Sequence, residues 1–366
     1  MMSIVDTCSH GLTSRGGSPR REARVVMVGC GGRLESPGGG EIQMLSTARF
    51  LASIGVEARV WRTGGEHFGD ADCLHLFGSL PEHRRLAQQA HRRSLAVVVS
   101  TIAWFDLSSY WREPRPLLGR AMAATRFLAR AACPRLPSWR RRLYHEADLL
   151  LPNSTAEADQ LVRYFGVPAS QIHVVPNGAD ERFAEADPGP FCELMGVENY
   201  VLYAGRVEPR KNPLGLLRAM RDTDVPIIVL GDTAPQHEVY FAECLRAAGP
   251  NVQFVRGLQH DDPLLASAYA GAGCLALASW YETPGLVALE AAMSGTPLVL
   301  PAGGCAAEYF GDHAQYVLPD DLPGIRKAVF CGLERGRSDA LAAYVRENFS
   351  WTAAARATRD AYEKVM

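Results

Sequence analysis

Lysine is nearly missing from this chain. Of its 38 basic residues only Lys211, Lys327 and Lys364 are lysines and the rest are arginines. Genome composition produces such a bias, so a lysine inside a candidate site stands out. No run of eighteen apolar residues occurs, which excludes a membrane-spanning helix. Residues 1–24 carry charges and turn formers where a secretory leader would have its apolar centre, so no export by that route is expected. The nine cysteines are scattered, none within twenty residues of the next. Neither zinc-ligand spacing nor a disulfide framework is present, and a reduced, cytoplasmic setting is expected. A formal net charge of -2 gives no global case for a nucleic-acid partner. The segment 29–34 has Leu34 where Gly-x-Gly-x-x-Gly needs its last glycine, so a nicotinamide dinucleotide site is not expected there.

What remains is an alternation of apolar runs and helical segments. At 366 residues the chain exceeds what one hydrophobic core serves, which favours two domains. Strand-like runs at 24–29, 56–61, 73–77, 95–100, 147–152 and 172–176 precede the turn Asn177-Gly178. A second series follows at 200–204, 225–231, 252–257, 272–278, 298–300 and 316–318. Runs rich in β-branched residues, separated by helices, imply α/β architecture with parallel, doubly wound sheets. The expected division is a flexible arm at 1–22, one Rossmann-like domain at 23–182, a second at 183–348 and a terminal helix at 349–366, with a linker at 180–190. Asn153, Ser154 and Thr155 offer an N-cap, with Glu157 placed for a capping box.

The most informative stretch is 279–300. A buried strand leads into it, Pro284 and Gly285 open a helix of about ten residues, and Gly295-Thr296-Pro297 closes it before the next strand. A helix N-terminus at the carboxyl end of parallel strands binds anions. Glu282 stands just before that end and Glu290 lies inside the helix. Two carboxylates would repel phosphate, so their natural partners are hydroxyl groups, unless they are merely solvated helix acids. Phosphates in the middle with polyols on both sides describe a nucleotide sugar. Arg206 and Lys211 follow the strand at 200–204 and precede a helix near Pro213. A guanidinium that can fork onto two phosphate oxygens and a compact ammonium make a second anion-binding arrangement.

Glu282 and Glu290 at this spacing, with Gly205-Arg206 followed by Lys211, resemble the signature of the retaining family-4 glycosyltransferases. These are members of glycosyl transferases group 1 with the GT-B fold, in which two Rossmann-like domains face a central cleft. The resemblance implies that Glu282 faces the donor sugar, that Glu290 binds ribose hydroxyls and that Arg206 and Lys211 clamp the diphosphate. It also implies a backbone contact to the nucleotide base near Gly257 and Leu258, and donor contacts from Gly285, Leu286 and Val287. Gly39 and Gly40, ahead of a helix expected from Glu41, resemble the Gly-Gly loop of the family's N-terminal domain; a merely mobile loop is the alternative. The terminal helix would cross back to the N-terminal domain. Many members carry a histidine after the fourth strand, whereas this chain has none between His91 and His145.

The implied reaction is retaining transfer of a sugar from a nucleotide-sugar donor to a saccharide or lipid-linked acceptor. It forms an α-glycosidic bond, as in cell-surface polysaccharide or glycolipid synthesis. Arg206, Lys211 and Glu282 are the expected catalytic residues, and no metal or other cofactor is expected. Asp70-x-Asp72 and Asp222-x-Asp224 spell a metal signature of a different glycosyltransferase fold, but both sit in turns where aspartate is common. A GT-B nucleotide-sugar 2-epimerase and a non-catalytic nucleotide-sugar-binding protein remain alternatives. From Pro114 to His145 eight arginines occur with no acidic residue, interleaved with Phe127 and Trp139, and Trp111 lies just ahead. Residues 111–145 therefore read as a contact with an anionic membrane or a pocket for a phosphorylated lipid, with a solvated helix pair as the alternative. The expected location is the cytoplasm, at the inner face of the membrane where that contact is made.

Overall fold

The computed structural model describes residues 23–29, 37–61, 68–107, 117–283 and 285–366. The expected N-terminal arm, residues 30–36 of the glycine-rich loop, residues 111–116 of the basic segment and Pro284 lie outside them.

Two parallel sheets organise these residues. The first contains β1 (Arg24–Val28), β2 (Glu57–Val60), β3 (Cys73–Phe77), β4 (Ala96–Ser100) and β5 (Leu149–Leu150), in the order β2-β1-β3-β4-β5. The second contains β6 (Tyr200–Ala204), β7 (Ile227–Leu230), β8 (Val252–Val255), β9 (Ala272–Ala276), β10 (Leu298–Pro301) and β11 (Ala314–Val317), in the order β11-β10-β9-β6-β7-β8. Every residue of β3, β6 and β9 is buried, which accounts for their apolar runs, interrupted in β3 by His75 alone. Strand order reverses between β1 and β3 and between β6 and β9. In such sheets the reversal opens a crevice at the carboxyl ends, and the loop after β6 lies at one such end.

Helices cover both sheets. In the first half they are α1 (Gly39–Ser53), α2 (His83–His91), α3 (Leu117–Ala132), α4 (Trp139–Glu146) and α5 (Thr155–Phe165). The second half has α6 (Gly189–Met195), α7 (Pro213–Ala219), α8 (Glu238–Ala247), α9 (Pro263–Gly271), α10 (Leu286–Met293), α11 (Ala306–Phe310), α12 (Leu322–Arg335), α13 (Asp339–Asn348) and α14 (Trp351–Tyr362).

Three local expectations are corrected. Residues 172–176 form no strand: Ile172 makes a single bridge to Leu150, and His173 N and Val175 N each donate at 2.9 Å to β5 and its extension. Pro152 and Pro176 lack the amides that would continue the ladder. The first helix begins at Gly39, so Gly39 and Gly40 form its first turn and do not precede it. Ser154 caps α5 as expected, but Glu157 does not complete a capping box on its amide. It is fully buried and accepts from Thr101 Oγ1 (2.5 Å), Ala103 N (2.7 Å) and Asn153 N (3.0 Å). Burial pushes its carboxyl up to about 7, against these three hydrogen bonds.

The halves are joined by polar contacts at several points. Tyr309 OH donates to Asn153 O at 2.5 Å and accepts from Asn177 N at 3.0 Å, while the Glu308 carboxylate accepts from Thr155 N and Ala156 N at the start of α5. Gly178 is needed because any Cβ there would strike the backbone of Ser350 and Trp351. Beyond that crossing α14 lies on the first sheet, where Trp351, Ala355 and Tyr362 share a core with Met27, Leu51 and Phe77. Tyr362 OH lies 2.7 Å from His75 Nδ1.

Candidate active site

The loop between β6 and α7 carries Arg206, Glu208, Arg210 and Lys211. Its start is fixed by a backbone crossing: Gly205 has φ 143°, and Gly231 can have no Cβ because that atom would overlap the Gly205 carbonyl. Its end is fixed by Asn212, a left-handed residue that caps α7. Asn212 Oδ1 accepts from Gly215 N at 3.2 Å, and Nδ2 donates to Ala278 O at 2.9 Å and Pro319 O at 2.8 Å. These bonds moor the loop to the chain leaving β9 and β11. Lys211 is thereby carried to Glu282.

Lys211 Nζ lies 2.7 Å from each oxygen of the Glu282 carboxylate, and Ser279 Oγ donates to Oε1 at 2.6 Å. The side chains are 16% and 5% exposed, so this is a nearly dry ion pair. Burial alone would push the Glu282 carboxyl up. Lys211 and Arg210, with hydrogen bonds from Lys211 and Ser279, hold it below the ordinary carboxylate value. Burial draws the Lys211 ammonium below the ordinary lysine value, against the pull of Glu282. The backbone of Glu282 is itself clamped, its amide donating to Gly303 O at 3.2 Å and its carbonyl accepting from Cys305 N at 3.0 Å. Gly304, at φ 101°, permits this, because a Cβ would overlap Glu282 O.

Gly285 adjoins the same carboxylate: a Cβ built on it would sit 3.4 Å from Glu282 Oε2. It caps α10 with no side-chain hydrogen bond, and Leu286 and Val287 follow in the first turn. Three of the residues singled out from the sequence, Lys211, Glu282 and Gly285, thus converge on one point, while the Leu286 side chain packs in the core shared with the first half. Arg206 stands at the solvent side of the loop, 60% exposed, with Nε 3.8 Å from Glu208 Oε2. Glu290 is buried deeper in α10, its Oε1 2.7 Å from His260 Nε2 and its Oε2 accepting from Tyr269 OH at 2.9 Å. Leu258, in the loop that also carries His260, packs on the second core. Gly39 and Gly40 lie in the first turn of α1, in the other half, and a side chain at Gly39 would meet nothing within 4 Å.

Sequence reasoning missed Arg210, His260 and Tyr269. Arg210 binds Glu208 Oε1 through Nε (3.2 Å) and Nη2 (3.0 Å) and lies 5.3 Å from the Tyr281 ring. A third cation in 205–213 was visible, and so was His260 beyond the end of an edge strand; Tyr269 carried no signal. Asp70 and Asp72 serve Arg24: both carboxylates bind its guanidinium, and Asp72 also accepts its amide at 3.1 Å. Among the described residues no group of three His, Cys, Asp or Glu side chains is arranged to hold a metal.

Two sequence families match this chain in tandem. The one described as Glycosyltransferase Family 4 matches residues 37–183, and the one described as Glycosyl transferases group 1 matches residues 194–322. The chain belongs to glycosyltransferase family 4. This glycosyltransferase is 27% identical over 390 residues to a D-inositol 3-phosphate glycosyltransferase of Paenarthrobacter aurescens (strain TC1), covering 91% of this chain and 96% of that one. Its fold is GT-B, similar to a sucrose-phosphate synthase from Thermosynechococcus elongatus (TM-score 0.72, 17% identity, 94% of this chain and 99% of that chain). An Anabaena protein, Alr3699/HepE, whose crystal structure contains UDP-glucose, superposes with a TM-score of 0.68 at 16% identity, covering 93% and 99%. The glycosyltransferase has no described helix long and apolar enough to cross a membrane.

Proposed function

We propose that this glycosyltransferase moves a sugar from a nucleotide diphosphate sugar to a saccharide or lipid-linked acceptor with retention of configuration, giving an α-linked product. The observation that carries this reading is the Lys211–Ser279–Glu282 cluster against the Gly285 start of α10, with Glu290 held by His260 and Tyr269 about one and a half turns further on. The UDP-glucose held by the Anabaena relative supports a donor of this class. The diphosphate would lie between Arg206, Lys211 and the first turn at Leu286 and Val287, replacing Glu282 as the partner of the ammonium. Glu282 is then free to accept hydroxyl groups of the donor sugar, and Glu290 those of the ribose, with the base near Leu258. Gly39 and Gly40 would close on the donor from the other sheet.

In the transfer step the acceptor oxygen bonds to the anomeric carbon as the bond from that carbon to the diphosphate breaks. The acceptor proton passes to the departing phosphate oxygen. Charge growing on the diphosphate meets two preorganised cations, which supply without a metal what a divalent ion supplies elsewhere. Chelation with EDTA should therefore leave transfer unchanged. Lys211→Ala and Glu282→Gln should each lower kcat by about 10²- to 10³-fold with the folded state retained. Full activity in both variants refutes the reading, and a new epimer formed from the donor alone would mark an isomerase.

The basic segment supports work at a membrane surface on its cytoplasmic side, in glycolipid or cell-surface polysaccharide synthesis. Along α3, Leu117 and Leu118 are 75% and 74% exposed, and Met122 and Leu128 are exposed as well. This apolar strip is edged by Arg120 on one side and by Arg126 and Arg130 on the other, as in helices that lie in an anionic lipid interface.

A further inference from the structure

A cavity of about 570 Å³ opens between the halves, with Tyr281, the neighbour of Glu282, as one of its walls. The other walls come from the first half, chiefly from α3, α4 and the chain leaving β4. Three guanidinium groups face it, from Arg126, Arg130 and Arg140, against one carboxylate among the described lining residues, Asp106. Arg126 and Arg130 are one turn apart on α3 and share a flank. Arg140 lies in the first turn of α4, its guanidinium 4.3 Å from the Trp139 ring centroid and 5.9 Å from that of Phe105. Arg130 lies 4.9 Å from the Phe165 ring. Stacking on rings holds such groups in place while leaving their N–H edges available to an anion. Neither Arg126 nor Arg140 forms an ion pair with a described residue, so gathering them costs repulsion that a bound anion would relieve.

Most of the other described lining residues are aromatic, with Ser79, Ile102, Ala103, Ala123 and Ser138 between them. Trp104, Phe127 and Trp139 present ring surface to the same space, and α3 leads from it to the exposed strip at Leu117, Leu118, Met122 and Leu128. A small polyol phosphate satisfies the arginines and leaves the rings wet. A phosphate joined to an apolar chain satisfies both.

We propose that this cavity is the acceptor subsite and that the acceptor is an amphiphile: a hydroxyl-bearing head next to a phosphate or diphosphate carried on an apolar chain. The phosphate sits between Arg126 and Arg140, the chain runs over the aromatic rings toward α3, and the head reaches past Tyr281 to Glu282. This assignment rests on the glycosyl-transfer reading above, and the two are separable by experiment. Binding of farnesyl phosphate, farnesol, inositol 1-phosphate and inorganic phosphate is measured by tryptophan fluorescence on the full chain, with UDP binding followed by thermal shift. Farnesyl phosphate should bind at least tenfold more tightly than the other three probes, and Arg126→Ala/Arg140→Ala should weaken it at least tenfold while the UDP-induced shift and the circular dichroism spectrum stay unchanged. Equal binding of farnesol would remove the phosphate from the assignment. Equal binding of inositol 1-phosphate would remove the apolar chain, and indifference to the arginine variants would remove the site. Failure of UDP and UDP-sugars to raise the melting temperature would count against the transfer reading itself, whatever the lipid probes show.

Discussion

Lys211 and Glu282 neutralise each other at 2.7 Å in a nearly dry setting, so neither is a free charge until a ligand competes for one of them. On the proposed reading a diphosphate would compete for the ammonium and sugar hydroxyls for the carboxylate, which would make the pair a latch that the donor opens from both sides. Glu290 is held in a similar way, with one oxygen on Tyr269 and the other on His260. His260 is half-buried and is the partner that a ribose hydroxyl could displace. Replacing it with alanine removes the orientation of Glu290 without touching the diphosphate cluster. His260→Ala should raise the donor KM about tenfold, equivalent to about 1.4 kcal/mol, with kcat changed much less. Steady-state kinetics at saturating acceptor test this, and a kcat loss equal to that of Glu282→Gln would contradict it.

Among the elements, the short bridge between Glu282 and Gly304 ties the chain that carries the Glu282 carboxylate to the chain leaving β10. Gly304 has φ 101° and no room for a Cβ against Glu282 O, so Gly304→Ala must push the two segments apart. We expect a destabilisation of more than about 1 kcal/mol together with a loss of transfer comparable to that of Glu282→Gln. Thermal melts and kinetics on the same preparation measure both. Helix α3 presents the opposite case, since only Ala124 is buried on it and its outer face makes no core. Leu117→Glu/Leu118→Glu should leave the melting temperature unchanged and abolish co-sedimentation with vesicles of phosphatidylglycerol. Retained vesicle binding in that variant would place the membrane contact elsewhere.

For the molecule as a whole, the second half does not end on its own sheet: α14 returns to the first, and His75 is the polar pin between them. Its Nδ1 lies 2.7 Å from Tyr362 OH and its Nε2 2.9 Å from Ser100 Oγ. Burial pulls the imidazole from its ordinary value of 6.5 down to about 3. A folded-state pKa that low means the unfolded chain takes up the proton first, so the contribution is intact above pH 6.5 and is lost as the pH falls toward 3. From pH 6.5 to pH 5 the loss amounts to about 2 kcal/mol. Urea unfolding at pH 7 and pH 5 should show that drop in the parent chain and a smaller one in His75→Gln, which is less stable at pH 7. Equal slopes in both proteins would show that His75 is not the sensor.

Much of the architecture could be read from residue order, because strands buried on both faces are written as unbroken apolar runs and helix ends are marked by local residues such as Ser154, Asn212 and Pro213. Arg206, Lys211, Glu282 and Gly285 could be singled out for the same reason, each lying near a strand end or helix start, whereas Glu290, inside α10, was singled out by its spacing from Glu282. Residues 172–176 were misread because a run of β-branched residues resembles a strand whether or not prolines deny it a ladder. Only the tertiary structure showed that Lys211 and Glu282 close on each other, that His260 and Tyr269 hold Glu290, and that Arg126 and Arg140 face one cavity with Tyr281. Those partners are distant in sequence, and their meeting depends on strand order and on the return of α14 to the first sheet, which short-range spacing does not encode.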